Sequence, residues 1–205
     1  MRARRCWPCY SRTPAPPERE GVQSPQALGL DEVHGMFQAC RMNSAAIPAV
    51  DSNCHSAAEV ARGIKRLFAR NDIWCVEEMA LKNGRRADLM GVDARGQIVI
   101  VEIKVARGDL LGDSKWPDYL DFCDRFFWGV PPGLDRGVLE TEGYYPDRCG
   151  VIVADGYDGE ILRPAPLEPL AAARRKVLVE RLARVAMRRH TALVDPLCGE
   201  YGVEG

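Results

Sequence analysis

The sequence predicts an α/β fold with a mixed central sheet, in which a three-stranded antiparallel meander is flanked by helices. Three observations support this. A capped amphipathic helix is followed by three short apolar runs with turn signals between them. Further apolar runs and a long basic C-terminal helix complete an alternation of strands and helices. Ionisable residues interrupt two of the apolar runs, which points to a site within the sheet.

The length and composition predict one domain with terminal extensions. The chain has 205 residues, 46% of them hydrophobic, and a formal net charge of -1, so any basic surface must be local. We expect a loosely ordered leader at 1–54, an ordered domain at 55–191 and a flexible tail at 192–205. No apolar run approaches the roughly 18 residues of a membrane span, and no secretory signal is visible, so a cytoplasmic location is expected.

The leader contains prolines, scattered charges and an isolated Cys6-Trp7-Pro8-Cys9 motif. A zinc site would require a second pair of ligands, and none follows at a suitable spacing. Two thiols in a flexible tail are therefore the preferred interpretation. Met36 and Met42 lie shortly before the ordered region, so a start at one of them is an alternative expectation to a translated leader.

The ordered region is predicted to begin with a helix and a strand. Ser56, with Glu59 three residues later, matches a capping box, and apolar residues then recur at helical spacing to about Arg70. Residues 73–81 are strand-like, and Asn83-Gly84 is a strong hairpin turn signal.

Two further strands, at 85–93 and 97–104, form a predicted hairpin that holds three charged residues. Asp88 interrupts the first strand, and Glu102 and Lys104 interrupt the second. Side chains alternate along a strand, so Glu102 and Lys104 share one face. Buried charges are costly unless they are paired or bind a metal. An ion pair on an exposed edge is the alternative, but the apolar neighbours favour a buried site.

The second half of the domain is predicted to continue with helix and strand in alternation. A helix at 107–124 is interrupted at Trp116-Pro117, because proline disfavours helix in the residue before it. Strands are expected at 125–130 and 149–155, and an edge strand at 160–163.

The last predicted helix, from about Leu170 to His190, is amphipathic and strongly basic. Between Ala171 and Thr191 it carries seven Lys or Arg residues against one Glu. Part of this charge lies along one flank, formed by Arg181, Arg184 and Arg188. A solvated basic face is the simplest interpretation, and a surface that follows a phosphate backbone is the alternative.

The charged hairpin offers the residue types that phosphoryl chemistry requires. Two carboxylates are hard oxygen ligands that suit Mg²⁺ or Mn²⁺, with water and phosphate oxygens completing the coordination. Such a metal polarises a phosphoryl group and lowers the pKa of a bound water. A lysine on the same face, here Lys104, would position that water or stabilise charge in the transition state.

Asp88 followed by Glu102-x-Lys104, with a helix before and a helix and strand after, resembles the core of the PD-(D/E)xK nuclease superfamily. A closer likeness, over about 57–190, is to the MmcB-like family of bacterial DNA repair proteins. The blocks that carry it are Gly84–Asp88, Ile100–Lys104, Asp113–Tyr119, Cys123–Arg125, Val153–Asp155 and Ala172–Lys176.

The resemblance implies a restriction-endonuclease-like fold, a role in DNA repair and metal-dependent hydrolysis of DNA phosphodiesters by a nuclease domain at 55–191. By position, Asp88 and Glu102 would be the metal ligands and Lys104 the catalytic lysine. Many superfamily members add a glutamate from the first helix. Glu59 is the candidate here, and Glu78 on the first strand is its rival.

DNA is the expected partner, with proteins of a repair complex as further partners. Neither a membrane nor a small-molecule cofactor is expected. By the same resemblance, Asp113, Lys115 and Trp116 are expected to border the site. We expect Arg86 and Lys115 to contact phosphate and Trp116 to stack on a base, although core packing is an equal alternative for Trp116. The DNA backbone would also contact the basic flank of Arg181, Arg184 and Arg188.

Two other functions stay open at this stage. The protein could be a non-catalytic adaptor that binds DNA within a repair complex, although an adaptor has no need of the buried charges Asp88, Glu102 and Lys104. It could also be a restriction enzyme or an RNA-cleaving enzyme on the same fold. No base-reading element is identifiable in the sequence.

Overall fold

A computed structural model describes residues 55–199 of the chain. Its centre is a six-stranded sheet with the strand order β1-β2-β3-β4-β5-β6. The pairs β3–β4 and β4–β5 are parallel and the other three pairs are antiparallel, so the predicted mixed sheet with an N-terminal meander is confirmed. The strands are β1 Ile73–Ala80, β2 Arg86–Asp93, β3 Ile98–Ile103, β4 Arg125–Val130, β5 Cys149–Ala154 and β6 Gly159–Arg163.

Helices connect and cover these strands. They are α1 Ala57–Arg70, α2 Arg107–Gly112, α3 Ala172–Val194, the short α4 Pro196–Gly199 and a 3₁₀ helix at Trp116–Phe122. Two shorter 3₁₀ turns, at Gly137–Glu140 and Glu142–Tyr144, lie between β4 and β5. The predicted interruption at Trp116-Pro117 is therefore present, although the second segment is 3₁₀ and not α. Within residues 55–199, no helix is long and apolar enough to cross a membrane.

Two predicted segments fall partly or wholly beyond the described residues. The leader at 1–54, with its Cys6-Trp7-Pro8-Cys9 motif, lies outside them, as do residues 200–205 of the predicted tail. The last helix continues to Val194, past the boundary predicted at 191, and α4 follows directly.

The helix α1 covers one face of the sheet and begins with the predicted capping box. The Ser56 hydroxyl accepts the Glu59 N–H at 3.3 Å, and the Glu59 carboxylate accepts the Ser56 N–H at 2.8 Å. The helix approaches β4 closely, because a Cβ atom at Gly129 would lie 2.7 Å from the Ile64 side chain. Only glycine leaves room for this contact.

The opposite face of the sheet packs against α3 and the 3₁₀ helix. Leu178 and Leu182 of α3 join the same buried cluster as Trp116 and Trp128. This is also the face of Ile98 and Ile100, and alternation along β3 therefore assigns Glu102 to it. The charged residues of the hairpin thus lie on the side of the sheet that carries the basic helix.

A buried carboxylate fixes the start of α3 to the sheet. Asp124 is completely buried and accepts the backbone N–H groups of Ile98, at 2.7 Å, and Leu170, at 2.8 Å. The Arg175 guanidinium also donates two hydrogen bonds to Asp124. This network joins the first residue of β3, the segment before α3 and the first turn of α3.

Candidate metal and DNA-binding site

The end of the β2–β3 ladder brings Asp88 next to Glu102. Regular pairing of these strands ends at Leu89 and Val101. Beyond it, the Asp88 carboxylate accepts the Ile103 N–H at 2.7 Å. The Asp88 side chain thus replaces a main-chain acceptor for the Ile103 N–H of β3. This hydrogen bond fixes Asp88 at the end of that strand.

Glu102 is a buried carboxylate that is only partly satisfied. It is 6% exposed, one oxygen accepts from the Lys104 ammonium at 3.1 Å, and its Oε2 atom has no hydrogen-bond partner among the described residues. Burial, and then the nearby charge of Asp88, raise the pKa of Glu102 to about 7. Burial also raises the pKa of Asp88, although the Ile103 N–H opposes this. A bound cation would relieve the repulsion between the two carboxylates.

The Lys104 ammonium lies between two carboxylates. Its Nζ atom is 3.1 Å from Glu102 and 2.8 Å from Asp113. Burial lowers the pKa of Lys104, but the contacts with Asp113 and Glu102 outweigh it, and the net shift is upward. The Lys104 backbone N–H donates to Gly129 at 2.9 Å, so the main chain of Lys104 is fixed as well.

An open polar cleft of about 510 Å³ gives access to these groups. The end of β3 and Asp88 form one side, and α2 with the residue after it forms the other. Its charged lining consists of Asp88, Glu102, Lys104, Asp109 and Asp113. Asp88, Glu102 and Lys104 therefore share one open cleft.

The residues fit a cation that the protein holds with few ligands. Among residues 55–199, no three His, Cys, Asp or Glu side chains converge closely enough to bind a metal ion. Asp88 and Glu102 would therefore supply two carboxylates, and water and substrate oxygens would supply the rest, as is common for Mg²⁺. The unpartnered Oε2 atom of Glu102 is the observation that favours this arrangement.

The structure does not bring Glu59 to this cleft. Its carboxylate caps α1, which covers the other face of the sheet, and the Ser56 N–H lowers its pKa. Its rival Glu78 is nearer, because it lies between the β1 residues that pair with Leu89 and Ala87 on either side of Asp88. After burial, the charge of Glu78 adds a small further rise to the pKa of Asp88. Glu78 has a left-handed φ of 50°, uncommon for a residue other than glycine, and pairs with Arg86 at 3.5 Å.

The prediction that Trp116 stacks on a base is wrong, and the core-packing alternative is correct. Trp116 is 3% exposed, and its ring centroid lies 5.1 Å from that of Trp128 and 5.6 Å from that of Phe126. The 3₁₀ helix directs the indole of Trp116 into the buried cluster on this face of the sheet. By contrast, Lys115 and Arg86 are exposed, and the Lys115 side chain forms no ion pair with the described residues.

The structure separates the positive charges of α3 into paired and unpaired groups. Three of them have acidic partners: Arg174 with Asp121, Arg175 with Asp124, and Lys176 with Glu180. Arg189 donates to main-chain carbonyls of β1. The other three, which form no ion pair within residues 55–199, are Arg181, Arg184 and Arg188. The predicted basic flank thus consists of α3 residues that have neither an acidic partner nor a main-chain partner among the described residues.

Comparison with known proteins identifies the family. A family model described as DNA repair protein MmcB-like matches residues 45–197. The chain belongs to this family. A solved structure of a protein of unknown function from Silicibacter pomeroyi is 39% identical, with a TM-score of 0.65, and the match covers 73% of this chain and 97% of that one. None of the curated proteins matches the chain significantly.

Two further residues of the MmcB-like site lie in one segment: Asp113, which the resemblance implied at its border, and Tyr119, which sequence reasoning missed. Asp113 contacts Lys104, and Tyr119 donates its hydroxyl to the Arg86 carbonyl at 3.1 Å. Burial, and then the charges of Glu102 and Asp88, raise the pKa of Tyr119. Both residues belong to the Asp113–Tyr119 block that carries the family resemblance. This block is the sequence feature that could have identified Tyr119 as a residue near the site.

Because Glu102 is a buried carboxylate, we expect that replacing it with a neutral residue makes the metal-free MmcB-like protein more stable at a pH where Glu102 is ionised. The folded-state pKa of about 7 exceeds the ordinary 4.5, so wild-type stability falls as the pH rises between these values. Because Glu102→Gln removes the charge but also an ion pair with Lys104, we expect a gain of about 2 kcal/mol at pH 8 and none below about pH 4.5. Urea unfolding in EDTA measures this, and a less stable Gln variant at pH 8 would contradict it.

Proposed function

We propose that this MmcB-like protein is a metal-dependent nuclease that hydrolyses DNA phosphodiester bonds in DNA repair. The observation that carries the proposal is the pair of adjacent carboxylates, Asp88 and Glu102, which line an open cleft. A buried oxygen of Glu102 has no hydrogen-bond partner among the described residues. Lys104 next to the two carboxylates supplies a positive charge in the same cleft. Membership in a family of DNA repair proteins supports DNA as the substrate.

Each residue has a separate part in this chemistry. Asp88 and Glu102 would hold Mg²⁺ or Mn²⁺, which when bound polarises the phosphoryl group and lowers the pKa of a water. The Ile103 N–H keeps the Asp88 carboxylate in place, so the ligand position is formed before the substrate arrives. The Lys104 ammonium stabilises negative charge that develops on the phosphoryl oxygens.

The exposed basic residues provide the means to hold DNA. Arg86 and Lys115 are exposed and belong to the segments adjacent to the cleft-lining residues Asp88 and Asp113. The flank of α3 lies on the same side of the sheet, because α3 packs against β1, β2 and the 3₁₀ helix. The positive charges of Arg181, Arg184 and Arg188 on this flank can pair with DNA phosphates.

A cleavage assay on several DNA structures tests this function. Single-stranded, forked, gapped and lesion-bearing DNAs are incubated with the protein and Mg²⁺ or Mn²⁺, with EDTA as the control. We expect nicking or trimming of at least one substrate and none in EDTA. Salt-sensitive binding without cleavage in any metal would instead support the adaptor function. Cleavage of RNA alone would exclude DNA as the substrate.

The basic flank of α3 is expected to set the salt dependence of DNA binding. Changing Arg181, Arg184 and Arg188 together to Gln removes three phosphate partners, so the slope of log K against log salt should become shallower by about 2 to 3. Fluorescence anisotropy at several salt concentrations measures this slope. The matched control is Arg174→Gln, on the same helix but already paired with Asp121. An equal effect per charge removed, with Arg174→Gln giving about one third of the change of the triple variant, would contradict a specific role for the flank.

A further inference from the structure

Asp113 is bound through both of its carboxylate oxygens. One oxygen, Oδ2, lies 2.8 Å from the Lys104 ammonium, and Oδ1 accepts the Lys115 N–H at 3.0 Å. The side chains of Lys104 and Asp113 are 12% and 16% exposed, so water screens their contact weakly. The preceding helix α2 is itself anchored, because the Tyr144 hydroxyl donates to the Leu110 carbonyl at 2.8 Å. Asp113 is thus a fixed support for the ammonium.

The charges in the cleft indicate that Asp113 is the ion-pair partner of Lys104 and not a metal ligand. The ammonium of Lys104 balances the single charge of Asp113. Asp88 and Glu102 then remain as the pair of carboxylates for one divalent cation, and Asp109 stays exposed at the wall of the cleft. The absence of three converging metal ligands within residues 55–199 agrees with this division.

We propose that Asp113 is a positioning residue that holds the Lys104 ammonium beside Glu102 in the cleft. The proposal rests on the nuclease function for its effect on rate, but not for the contact itself. Without Asp113, the flexible four-carbon stem of Lys104 is held through its ammonium by Glu102 alone, and the ammonium leaves its place over the cleft. Asp113 acts through Lys104 and contacts neither DNA nor the cation.

The cleft also contains a matched control. Asp109 lines the same cleft from α2, carries the same charge and is exposed. It forms no hydrogen bond or ion pair with Lys104. Asp113→Asn and Asp109→Asn therefore change the charge of the cleft equally, and only the first removes a carboxylate that pairs with Lys104.

The experiment compares full-length wild type, Asp113→Asn and Asp109→Asn. We expect Asp113→Asn to lower kcat by about tenfold to a hundredfold, since misplacing a reacting group costs up to this much, and to change KM little. Affinity for Mn²⁺ alone, measured by electron paramagnetic resonance, should be unchanged. Reductive methylation followed by mass spectrometry should label Lys104 faster, relative to Lys115, than in wild type. Asp109→Asn should leave the labelling of Lys104 at the wild-type rate, and any change that it makes in kcat or KM measures the effect of cleft charge alone.

Other results would overturn the proposal. Loss of Mn²⁺ binding in Asp113→Asn would make Asp113 a metal ligand, and equal defects in both variants would indicate a general charge effect. Unchanged Lys104 labelling would exclude the positioning role. If Asp113→Asn does not fold, Asp113→Glu keeps the charge and should keep Lys104 protected, and a loss of protection there counts against the proposal. A wild type that cuts no DNA ends the nuclease proposal, whereas the labelling still tests Asp113.

Discussion

Asp88→Asn is expected to abolish DNA cleavage while the protein stays folded. The change removes the charge that would bind the cation, and loss of several kcal/mol of transition-state stabilisation corresponds to a decrease of about a hundredfold or more in kcat. The Asn carbonyl oxygen can still accept the Ile103 N–H, so the end of the β2–β3 ladder is kept. Cleavage rates with Mg²⁺ and with Mn²⁺ measure the effect.

The control for this variant is thermal unfolding in EDTA. We expect Asp88→Asn to unfold at or slightly above the wild-type temperature, because burial makes the ionised Asp88 unfavourable in the metal-free protein. Wild type and Asp88→Asn cleaving DNA at equal rates would show that the cleft is not the site of reaction.

Asp124→Ala is expected to destabilise the protein by about 3 kcal/mol. The change leaves the buried N–H groups of Ile98 and Leu170 without their acceptor and Arg175 without its partner. Breaking a buried pair costs about 3–5 kcal/mol, and the partial exposure of Arg175 puts the effect at the low end. Urea unfolding measures the loss. A loss below about 1 kcal/mol would contradict the anchoring role, because that is the range of exposed pairs.

The effect of Asp124→Ala should depend on pH. Burial opposes the charge of Asp124, but hydrogen bonds from Arg175, Ile98 and Leu170 prevail and lower its pKa below 3.8. The stabilisation is therefore complete above the unfolded-state pKa and is lost as the pH falls through the folded-state value. The difference between wild type and variant should shrink below about pH 4. The control is Asp118→Asn, whose exposed pair with Arg85 should contribute under about 1 kcal/mol at every pH.

Local sequence patterns predicted α1, the turn between β1 and β2, and the hairpin of β2 and β3. The capping box at Ser56 involves residues three apart, and the turn at Asn83-Gly84 depends on a backbone that glycine allows, with a φ of 80°. The proximity of Asp88 and Glu102 also followed from the sequence, because neighbouring strands of a hairpin have a register that the turn constrains. These features depend on short separations along the chain.

Contacts between distant segments could not be read in the same way. The burial of Trp116 depends on Phe126, Trp128 and Tyr144, and an indole suits a core and a DNA-binding surface equally well. The contact of Asp113 with Lys104 depends on how α2 returns over the end of β3, which no local pattern specifies. The same limit applies to Asp124, whose partners Leu170 and Arg175 lie far along the chain.

The central claim is that Asp88 and Glu102 together bind the cation that serves DNA hydrolysis. Its most direct test is a crystal grown with Mn²⁺ at pH 8, where Glu102, with a pKa of about 7, is ionised. We predict an anomalous scattering peak in contact with both carboxylates, and its loss in Asp88→Asn crystals grown under the same conditions. An active protein whose crystals show no anomalous peak at these carboxylates, or show the Mn²⁺ bound elsewhere, would contradict the claim.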